Sequence, residues 1–219
     1  MKAEIIDKRF YEKKWMSIGK WDKQKAPYLK KTADIEGLIA LDWIKSYLSL
    51  GRILDIGCGA GRNSILFSKN GFDVYGFDFS KKAIDLAEIL KIEEKCDAKF
   101  SVQSVLELKF ENNFFDAIFD FGCFHHLRKN QWNKYLKNIL KVLKPKGYYL
   151  IYCFSKESEE TGNHKASRDY SYRNHHYNHY FDLDELKKIF SNNFKIIKSK
   201  IIKEKGRLLA FNIVLFQKI

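Results

Sequence analysis

Three glycines stand at alternate positions directly after a short apolar stretch, a spacing typical of a loop that lies against a ligand. Gly57, Gly59 and Gly61 follow the predicted strand 52–56 and precede a predicted helix. Glycine permits positive φ angles and lets the backbone approach a ligand without an intervening Cβ. In open α/β sheets the carboxyl end of a strand is also where ligands bind. The sequence therefore predicts a ligand site at this loop.

An acidic residue at the end of the next predicted strand completes the pattern of a nucleoside site. Asp78 lies seventeen residues after Gly61, and a carboxylate there can accept hydrogen bonds from the two hydroxyls of a ribose. The glycine spacing does not fit Gly-x-Gly-x-x-Gly, because the sixth place counted from Gly57 is Arg62 and that counted from Gly59 is Ser64. No Gly-Lys-Ser/Thr follows either. These departures argue against a dinucleotide loop and a P-loop.

A second group of chemically competent residues follows the fourth predicted strand, 115–120. Gly122 permits close approach of a ligand, and two adjacent histidines, His125 and His126, come next. Histidine accepts protons near neutral pH, so either is a candidate catalytic base. Adjacent side chains point in different directions, so only one of the two is expected to face a site. The alternative is that both begin a helix and bond locally.

Residues 168–181 combine four tyrosines with three histidines. His175 and His179 would share one face of a helix, as some zinc ligands do, but no cysteine or second ligand pair lies nearby, so no metal is predicted. The polar stretch 155–180 is longer than the roughly 2–6 residues of an ordinary connection. It is interpreted as an insertion that covers a substrate, and a solvated connection is the alternative.

The rest of the chain predicts alternating strands and helices. Helices are predicted at 35–50, 62–70, 81–95, 130–143 and 182–191, and strands at 52–56, 73–77, 98–103, 115–120, 148–154, 194–203 and 207–216. Ser80 and Asp182 are the expected helix caps. Pro145–Gly147 and Glu204–Gly206 are the expected turns. This alternation predicts an α/β, doubly wound fold, with a mostly parallel seven-stranded sheet closed by a C-terminal antiparallel hairpin.

In order and spacing these motifs resemble the class I methyltransferases that use S-adenosylmethionine. The resemblance covers about residues 35–155 and includes the turn Leu143–Gly147, which reads Leu-Lys-Pro-Lys-Gly. It implies that the loop from Asp55 to Gly61 holds the amino-acid half of the cofactor, whose product is S-adenosylhomocysteine. The cofactor-binding residues that it implies are Asp55, Gly57, Cys58, Gly59, Gly61, Asp78, Phe79, Ser80, Ser104, Val105, Phe121 and Gly122.

The chain departs from this family after the third predicted strand. Many members carry there an aspartate followed by a small residue, and the aspartate binds the adenine amino group. This sequence has Ser104-Val105 instead, so adenine is expected to be held by the backbone and by Ser104, with Phe79 packed on it. Phe121 or Phe124 is expected to shield the sulfonium from water.

The absence of certain motifs limits which class of methyl acceptor is expected. Amino-methylating nucleic-acid enzymes of this fold carry Asn/Asp-Pro-Pro-aromatic after the fourth strand, where this chain reads Asp120–Cys123 without proline. The arrangement from Asp120 to His125 also resembles a branch that methylates small thiols, thiopurines and other metabolites. That branch covers the cofactor with aromatic residues from a leading segment. The predicted wall residues of the acceptor pocket are Tyr11, Trp15, His176, His179 and Tyr180.

The chain of 219 residues is long enough for one α/β domain. Its predicted parts are a cap segment 1–34, a cofactor-binding core 35–154, an insertion 155–181 and a closing helix with hairpin 182–219. The formal charge of +13 is concentrated at the ends, because residues 1–31 carry +6, residues 32–140 carry −1 and residues 141–219 carry +8. A basic lid would attract an anionic acceptor, and a solvated lysine-rich surface is the alternative.

Composition also bears on location and partners. The sequence shows no long apolar run and no secretion-type leader, and its four cysteines are scattered. A cytoplasmic protein with no membrane partner is therefore predicted. Three functions remain open: methylation of a small molecule, which the motifs favour; methylation of nucleic acid or protein, which the basic ends favour; and cofactor binding without turnover.

Overall fold

A computed structural model describes residues 11–13, 15–16, 35–159, 169–173, 176–203 and 209–219 of the chain. Residues 11–13 and 15–16 are helical. The helices that follow are α1 (Ile35–Lys45), α2 (Arg62–Lys69), α3 (Lys81–Glu94), α4 (Lys129–Val142) and α5 (Leu183–Phe190), with a short 3-10 helix at Phe124–His126. The strands are β1 (Arg52–Ile56), β2 (Asp73–Asp78), β3 (Lys99–Val102), β4 (Phe115–Phe121), β5 (Leu143–Phe154), β6 (Tyr170–Arg173), β7 (His176–His179), β8 (Phe194–Ile202) and β9 (Phe211–Lys218).

Seven of these strands form one sheet in the order β3-β2-β1-β4-β5-β9-β8. The strands from β1 to β5 run parallel, and β9 is antiparallel to both of its neighbours, β5 and β8. This confirms the predicted sheet and its closing hairpin. The strand order reverses between β1 and β4, which places a crevice at their carboxyl ends.

Helices cover both faces of the sheet, and this explains why its strands are apolar on both sides. On one face Trp43 and Ile44 of α1 pack with Phe67 of α2, and α2 also contacts α3. On the other face Tyr135 of α4 and Phe190 of α5 belong to the second core cluster. The doubly wound layering predicted from the alternation is therefore present.

Side-chain caps fix where two helices begin. Ser80 Oγ accepts a hydrogen bond from the backbone N of Ala83 at 3.3 Å, at the start of α3. Asp182 Oδ1 accepts one from the backbone N of Glu185 at 2.7 Å, at the start of α5. Each satisfies one of the backbone donors that a helix start leaves without an intrahelical partner. Both predicted caps are confirmed.

The predicted turn at Pro145–Gly147 is an irregularity inside β5 instead. The pairing with β4 jumps from Phe115 opposite Leu143 to Ala117 opposite Tyr148. Lys146 has a φ of 62°, and a Cβ on Gly147 would lie 2.7 Å from Leu143 Cδ1. The strand therefore begins five residues before the predicted start and absorbs the turn residues as a bulge.

Other parts of the prediction also differ from the structure. Helix α1 ends at Lys45 rather than residue 50, and β9 spans Phe211–Lys218 rather than 207–216. The segment predicted to be irregular contains the two-stranded ribbon β6–β7. The expected turn Glu204–Gly206 lies outside the described residues. None of the helices in the described ranges is long and apolar enough to cross a membrane.

Candidate active site

The carboxyl ends of the central strands are level with one another. Ile56 of β1 lies opposite Phe77 of β2 and opposite Asp120 of β4, and Asp120 lies opposite Ile151 of β5. The residues that follow these positions therefore meet at one edge. The glycine loop, Asp78 and Gly122 are brought together as the sequence predicted.

The glycine loop needs its glycines for two reasons. Gly57, Gly59 and Gly61 have φ angles of 65°, 56° and 80°, in the left-handed region that other residues avoid. A Cβ on Gly59 would lie 2.9 Å from the ring of Trp15. A Cβ on Gly61 would lie 2.7 Å from the ring of Phe100. The loop thus forms a backbone-lined cradle with no space for side chains.

Asp78 ties this loop to the end of β2. Its carboxylate accepts hydrogen bonds from the backbone N of Gly59 at 3.1 Å and of Ser80 at 2.8 Å. The side chain is 7% exposed, so bonds to the charged group form in a mostly dry setting and fix its position. A ribose acceptor is expected at this point of the sheet.

Asp55 lies fully buried at the end of β1, next to the loop. Ser64 Oγ donates a hydrogen bond to Asp55 Oδ2 at 2.6 Å. Burial raises the pKa of Asp55 to about 7, against the lowering effect of the Ser64 bond, and the nearby carboxylates of Asp120 and Asp78 raise it further. A positively charged ligand group beside Asp55 would favour the ionised form. Burial also raises the pKa of the neighbouring Cys58 thiol, which makes it a packing residue rather than a nucleophile.

Asp120 organises the turn after β4, a role that was not predicted from the sequence. Its Oδ1 accepts hydrogen bonds from the backbone N of Cys123 at 2.7 Å and of Phe124 at 3.3 Å. The Tyr135 hydroxyl donates to Oδ2 and lies 2.8 Å from the Tyr149 hydroxyl. Burial raises the pKa of Asp120 to about 6, against these bonds. The sequence signal that could have predicted this role is an acidic residue at the end of a strand, three residues before a backbone turn.

The two histidines form a hydrogen-bonded pair in the 3-10 helix. The backbone N–H of Phe154 donates to His125 Nδ1 at 3.3 Å, and the carbonyl of Tyr177 accepts from His126 Nδ1 at 3.2 Å. Because the backbone groups have fixed roles, His125 carries its proton on Nε2 and donates it to His126 Nε2, 2.9 Å away. The nitrogen of each ring that could accept a proton thus already accepts a hydrogen bond. This favours the alternative that the two histidines bond locally over the prediction that one is a catalytic base.

The N-terminal helical residues cover this edge of the sheet. Trp15 packs with Ala60, Ala83 and Leu86, above the glycine loop. The ring of Tyr11 makes edge contacts with Phe79 and His126, at centroid distances of 5.7 and 5.6 Å. Two predicted wall residues therefore lie over the loop and over the histidine pair.

The ribbon β6–β7 covers the same edge from the other side. The residues predicted here as walls of the acceptor pocket occupy different kinds of position. Tyr180 stacks on Phe154 at 5.4 Å, and its hydroxyl lies 3.2 Å from Ser171 Oγ. His179 is fully buried, with its ring nitrogens bonded to the Tyr177 hydroxyl and to Glu185. The structure thus places His179 in the packing between the ribbon and α5 rather than at a pocket wall.

The remaining predictions on this segment concern His175 and His176. His175 lies outside the described residues, and of His176 only the backbone, in β7, is described. Among the residues that the structure describes, no group of three His, Cys, Asp or Glu side chains could hold a metal ion.

The predicted adenine side of the site is built by the turn after β3. Ser104 Oγ accepts a hydrogen bond from the backbone N of Leu106 at 3.2 Å, which closes this turn. Val105 is buried in the same core cluster as Phe77. The backbone N of Gln103 donates to the carbonyl of Asp78 at 3.0 Å, so the turn is held next to the ribose acceptor.

The predicted acceptor side lies at the ends of β4 and β5. The ring of Phe121 stacks on Tyr152 at a centroid distance of 4.2 Å. Gly122 has a φ of 89°, and its backbone N donates to the carbonyl of Tyr152 at 3.0 Å. The chain thus turns sharply here, which brings the backbone of Gly122 to the site edge.

Comparisons with known proteins show similarity to methyltransferases. Residues 53–147 match a family described as a methyltransferase domain. The tRNA N(3)-methylcytidine methyltransferase trm140 of Schizosaccharomyces pombe is 31% identical over 179 residues, which cover 74% of this chain and 57% of that protein. Phosphoethanolamine N-methyltransferase 2 of Caenorhabditis elegans is 32% identical over 128 residues, covering 56% of this chain and 29% of that protein. The chain thus spans little more than half the length of the first relative and less than a third of the second.

Among solved structures, the chain resembles the 1,6-didemethyltoxoflavin-N1-methyltransferase of Burkholderia thailandensis, solved with 1,6-didemethyltoxoflavin and S-adenosylhomocysteine. The TM-score is 0.73 with 20% identity, over 95% of this chain and 87% of that chain. The fold, the glycine loop and the family match over residues 53–147 together support a class I S-adenosylmethionine-dependent methyltransferase.

The residues present fit S-adenosylmethionine. The glycine loop presents backbone groups without a Cβ to the amino-acid half of such a ligand, and Asp55 beside the loop would balance a positive charge. Asp78 is held by two backbone donors at the end of β2, where a ribose acceptor is expected. The ring of Phe79 lies at the same edge, in contact with Tyr11.

Asp78→Ala is expected to weaken binding of S-adenosylhomocysteine about 10- to 150-fold. The loss equals about 1.5–3 kcal/mol, the range for hydrogen bonds to a charged group. Calorimetric titration measures it. Asp85→Ala is the matched control, because Asp85 lies on α3 in an exposed ion pair with Lys81 and should leave the affinity unchanged. Equal affinities in both variants would remove Asp78 from the site.

Proposed function

We propose that the chain transfers a methyl group from S-adenosylmethionine to a nucleophile on a small molecule. The observation that carries this proposal is the cover over the acceptor edge: Tyr11 reaches from the N-terminal residues to His126, and the β7 carbonyl of Tyr177 reaches the same ring from the other side. A site covered from two sides favours a small acceptor over an extended macromolecule. Bound S-adenosylmethionine supplies an electrophilic methyl group on a sulfonium.

The chain's own residues bind, orient and exclude water. The glycine loop and Asp78 would hold the cofactor, with Asp55 next to its charged end and Ser80, Ser104 and Val105 near the adenine. Phe121 and Gly122 would border the reacting edge. Alignment is enough to accelerate a transfer with a good leaving group, and rings around the site keep water away.

We assign a lid role to the N-terminal residues and the ribbon. Tyr11, Trp15 and Tyr180 are its aromatic parts, and the bond between His126 and Tyr177 joins the ribbon to the acceptor edge. In this proposal the histidine pair shapes the wall and anchors the lid. A base role for His126 would require the bond from His125 to open first.

An acceptor panel tests the proposal. We expect S-adenosylhomocysteine to form in the presence of at least one small amine, thiol or phenol, and not to depend on added RNA or protein. Formation is measured by mass spectrometry at a low cofactor concentration, where Asp78→Ala, with its weaker cofactor binding, is the control expected to form less product. Turnover with tRNA and with none of the small acceptors would contradict the proposal.

Methylation of RNA is the second candidate. It is supported by the tRNA-modifying relative and by the lysines of β8, since Lys195, Lys198 and Lys200 are all exposed on this edge strand. Such a surface would bind phosphates and would lose affinity steeply with salt. If RNA binds and the binding weakens with salt, but no RNA is methylated, the binding is electrostatic attraction alone and RNA methylation is contradicted.

A further inference from the structure

A buried carboxylate lies at the acceptor edge, on an element that the motifs did not implicate. Glu36 belongs to the first turn of α1 and is 4% exposed. The Tyr152 hydroxyl donates a hydrogen bond to Glu36 Oε1 at 3.3 Å. Tyr152 lies near the end of β5, opposite Phe121 of β4, so the first turn of α1 reaches the edge where the acceptor is expected.

The tyrosine that bonds to this carboxylate is part of a stack of aromatic rings. The ring of Tyr152 lies between Phe121, at 4.2 Å and 1° between planes, and Phe211, at 4.5 Å and 15°. Phe154 packs on Phe211 at 5.2 Å. The three phenylalanines are half-buried. The stack fixes the Tyr152 hydroxyl, which in turn fixes Glu36.

The stack is connected to the glycine that the sequence placed at the reacting edge. Gly122 follows Phe121 directly, and its backbone N donates to the carbonyl of Tyr152 at 3.0 Å. The carboxylate, the rings and the close-approach glycine are therefore parts of one rigid unit. A group bound by Glu36 would lie beside the backbone turn that borders the site.

The chemistry of this unit selects for positive charge. A buried carboxylate forms strong hydrogen bonds to ammonium groups, and ring faces attract cations. The start of a helix favours the negative charge on Glu36. An anionic acceptor, such as a thiolate, phenolate or carboxylate, would be repelled by the same group.

We propose that Glu36, Tyr152 and the surrounding phenylalanines form an ammonium subsite, and that the acceptor carries an amino group. This inference rests on the proposed function and names the class of its substrate. It replaces the expectation of an anionic acceptor, which was drawn from the basic ends of the chain. Glu36 is a specificity-determining residue in this proposal.

Matched probes test the subsite by binding rather than by turnover. The probes are 2-phenylethylamine, 2-phenylethanol and 2-phenylethanethiol, with ethanolamine, ethylene glycol and 2-mercaptoethanol as a smaller set. Each is titrated by calorimetry into the full chain saturated with S-adenosylhomocysteine. We expect an amine to bind about 10-fold or more tightly than its matched alcohol and thiol, the range for a bond to a charged group.

Variants separate recognition from packing. Glu36→Gln keeps the shape and should remove the amine preference while leaving S-adenosylhomocysteine affinity unchanged. Asp42→Asn, an exposed acid on the same helix, should keep the preference. Tyr152→Phe keeps the ring stack but removes one hydrogen bond to Glu36, so a smaller loss of preference is expected. This second variant preserves the test if Glu36→Gln does not fold.

The outcomes distinguish this inference from the proposed function. An unchanged amine preference in Glu36→Gln, no amine preference in the wild type, or no binding of any amine would overturn the subsite. If S-adenosylhomocysteine binds and a thiol or alcohol is methylated instead, only the subsite fails. If S-adenosylhomocysteine does not bind to the wild type, the proposed function itself fails.

Discussion

Asp120→Ala is expected to lower the free energy of unfolding by about 3–5 kcal/mol, measured by urea denaturation near neutral pH. The substitution removes the acceptor of three donors: the partly buried backbone N–H of Cys123, and the buried backbone N–H of Phe124 and Tyr135 hydroxyl. Each buried donor left without its partner costs about 1–3 kcal/mol. Removing a buried charge offsets part of that sum, because burial disfavours the carboxylate.

Conservative variants divide this effect among the bonds. Asp120→Asn keeps an oxygen for the two backbone donors and presents an amide to Tyr135, whose hydroxyl can also accept. A loss of about 1–2 kcal/mol is expected, as for Tyr135→Phe, which removes one hydroxyl. If all three variants stay within about 0.5 kcal/mol of the wild type, the level of an ordinary surface substitution, the network does not stabilise the fold.

The same substitution links the fold to the site. The turn that Asp120 caps carries Gly122 at one end and the histidine pair at the other. Losing the cap frees the turn, so acceptor binding is expected to weaken more than cofactor binding in Asp120→Ala. The Asp78 carboxylate is held instead by the backbone N–H groups of Gly59 and Ser80, and Asp120 takes no part in these two bonds.

The layered fold could be predicted from the sequence because the sequence signals for its elements are local. Apolar strands, the caps Ser80 and Asp182, and the glycine loop each act within a few residues, so their placement needed no knowledge of the rest. The start of β5 was predicted wrongly because Pro145–Gly147 has the composition of a turn. Only the pairing with β4, across a register jump, turns those residues into a bulge.

The ribbon and the buried acids could not be predicted in this way. Strands β6 and β7 are polar, and what holds them is tertiary: His179 bonded to Glu185 of α5, and the Tyr177 carbonyl bonded to His126. Glu36 looks like an ordinary acid in the first turn of a helix. Its burial depends on β5, more than one hundred residues away along the chain.

The second large effect concerns Asp55 and pH. The native carboxyl keeps its proton up to a pKa of about 7, whereas in the unfolded chain the pKa is about 3.9. Between these values the native state binds more protons than the unfolded state. The contribution of Asp55 to the free energy of unfolding therefore falls as pH rises from about 4 to about 7, and stays low above that.

Asp55→Asn should remove this dependence while keeping an acceptor for Ser64. The free energy of unfolding of the variant, relative to wild type, is expected to rise on the order of 3 kcal/mol between about pH 4.5 and pH 8. Taking this difference cancels the titration of the groups that do not interact with Asp55. Asp85→Asn, exposed on α3, should show a flat difference over the same range. A flat difference for Asp55→Asn as well would mean that Asp55 titrates normally.

The same titration predicts how the cofactor binds. The amino-acid half of S-adenosylhomocysteine carries an ammonium group, and a cation beside Asp55 lowers the pKa of its carboxyl. Binding below about pH 7 should therefore release a proton, and affinity should rise about 10-fold from about pH 5.5 to pH 7.5 in the wild type but not in Asp55→Asn. Calorimetry in two buffers of different ionisation enthalpy counts the released proton. Binding without proton release would place the ammonium group away from Asp55, and the orientation assigned to the cofactor would have to be reversed.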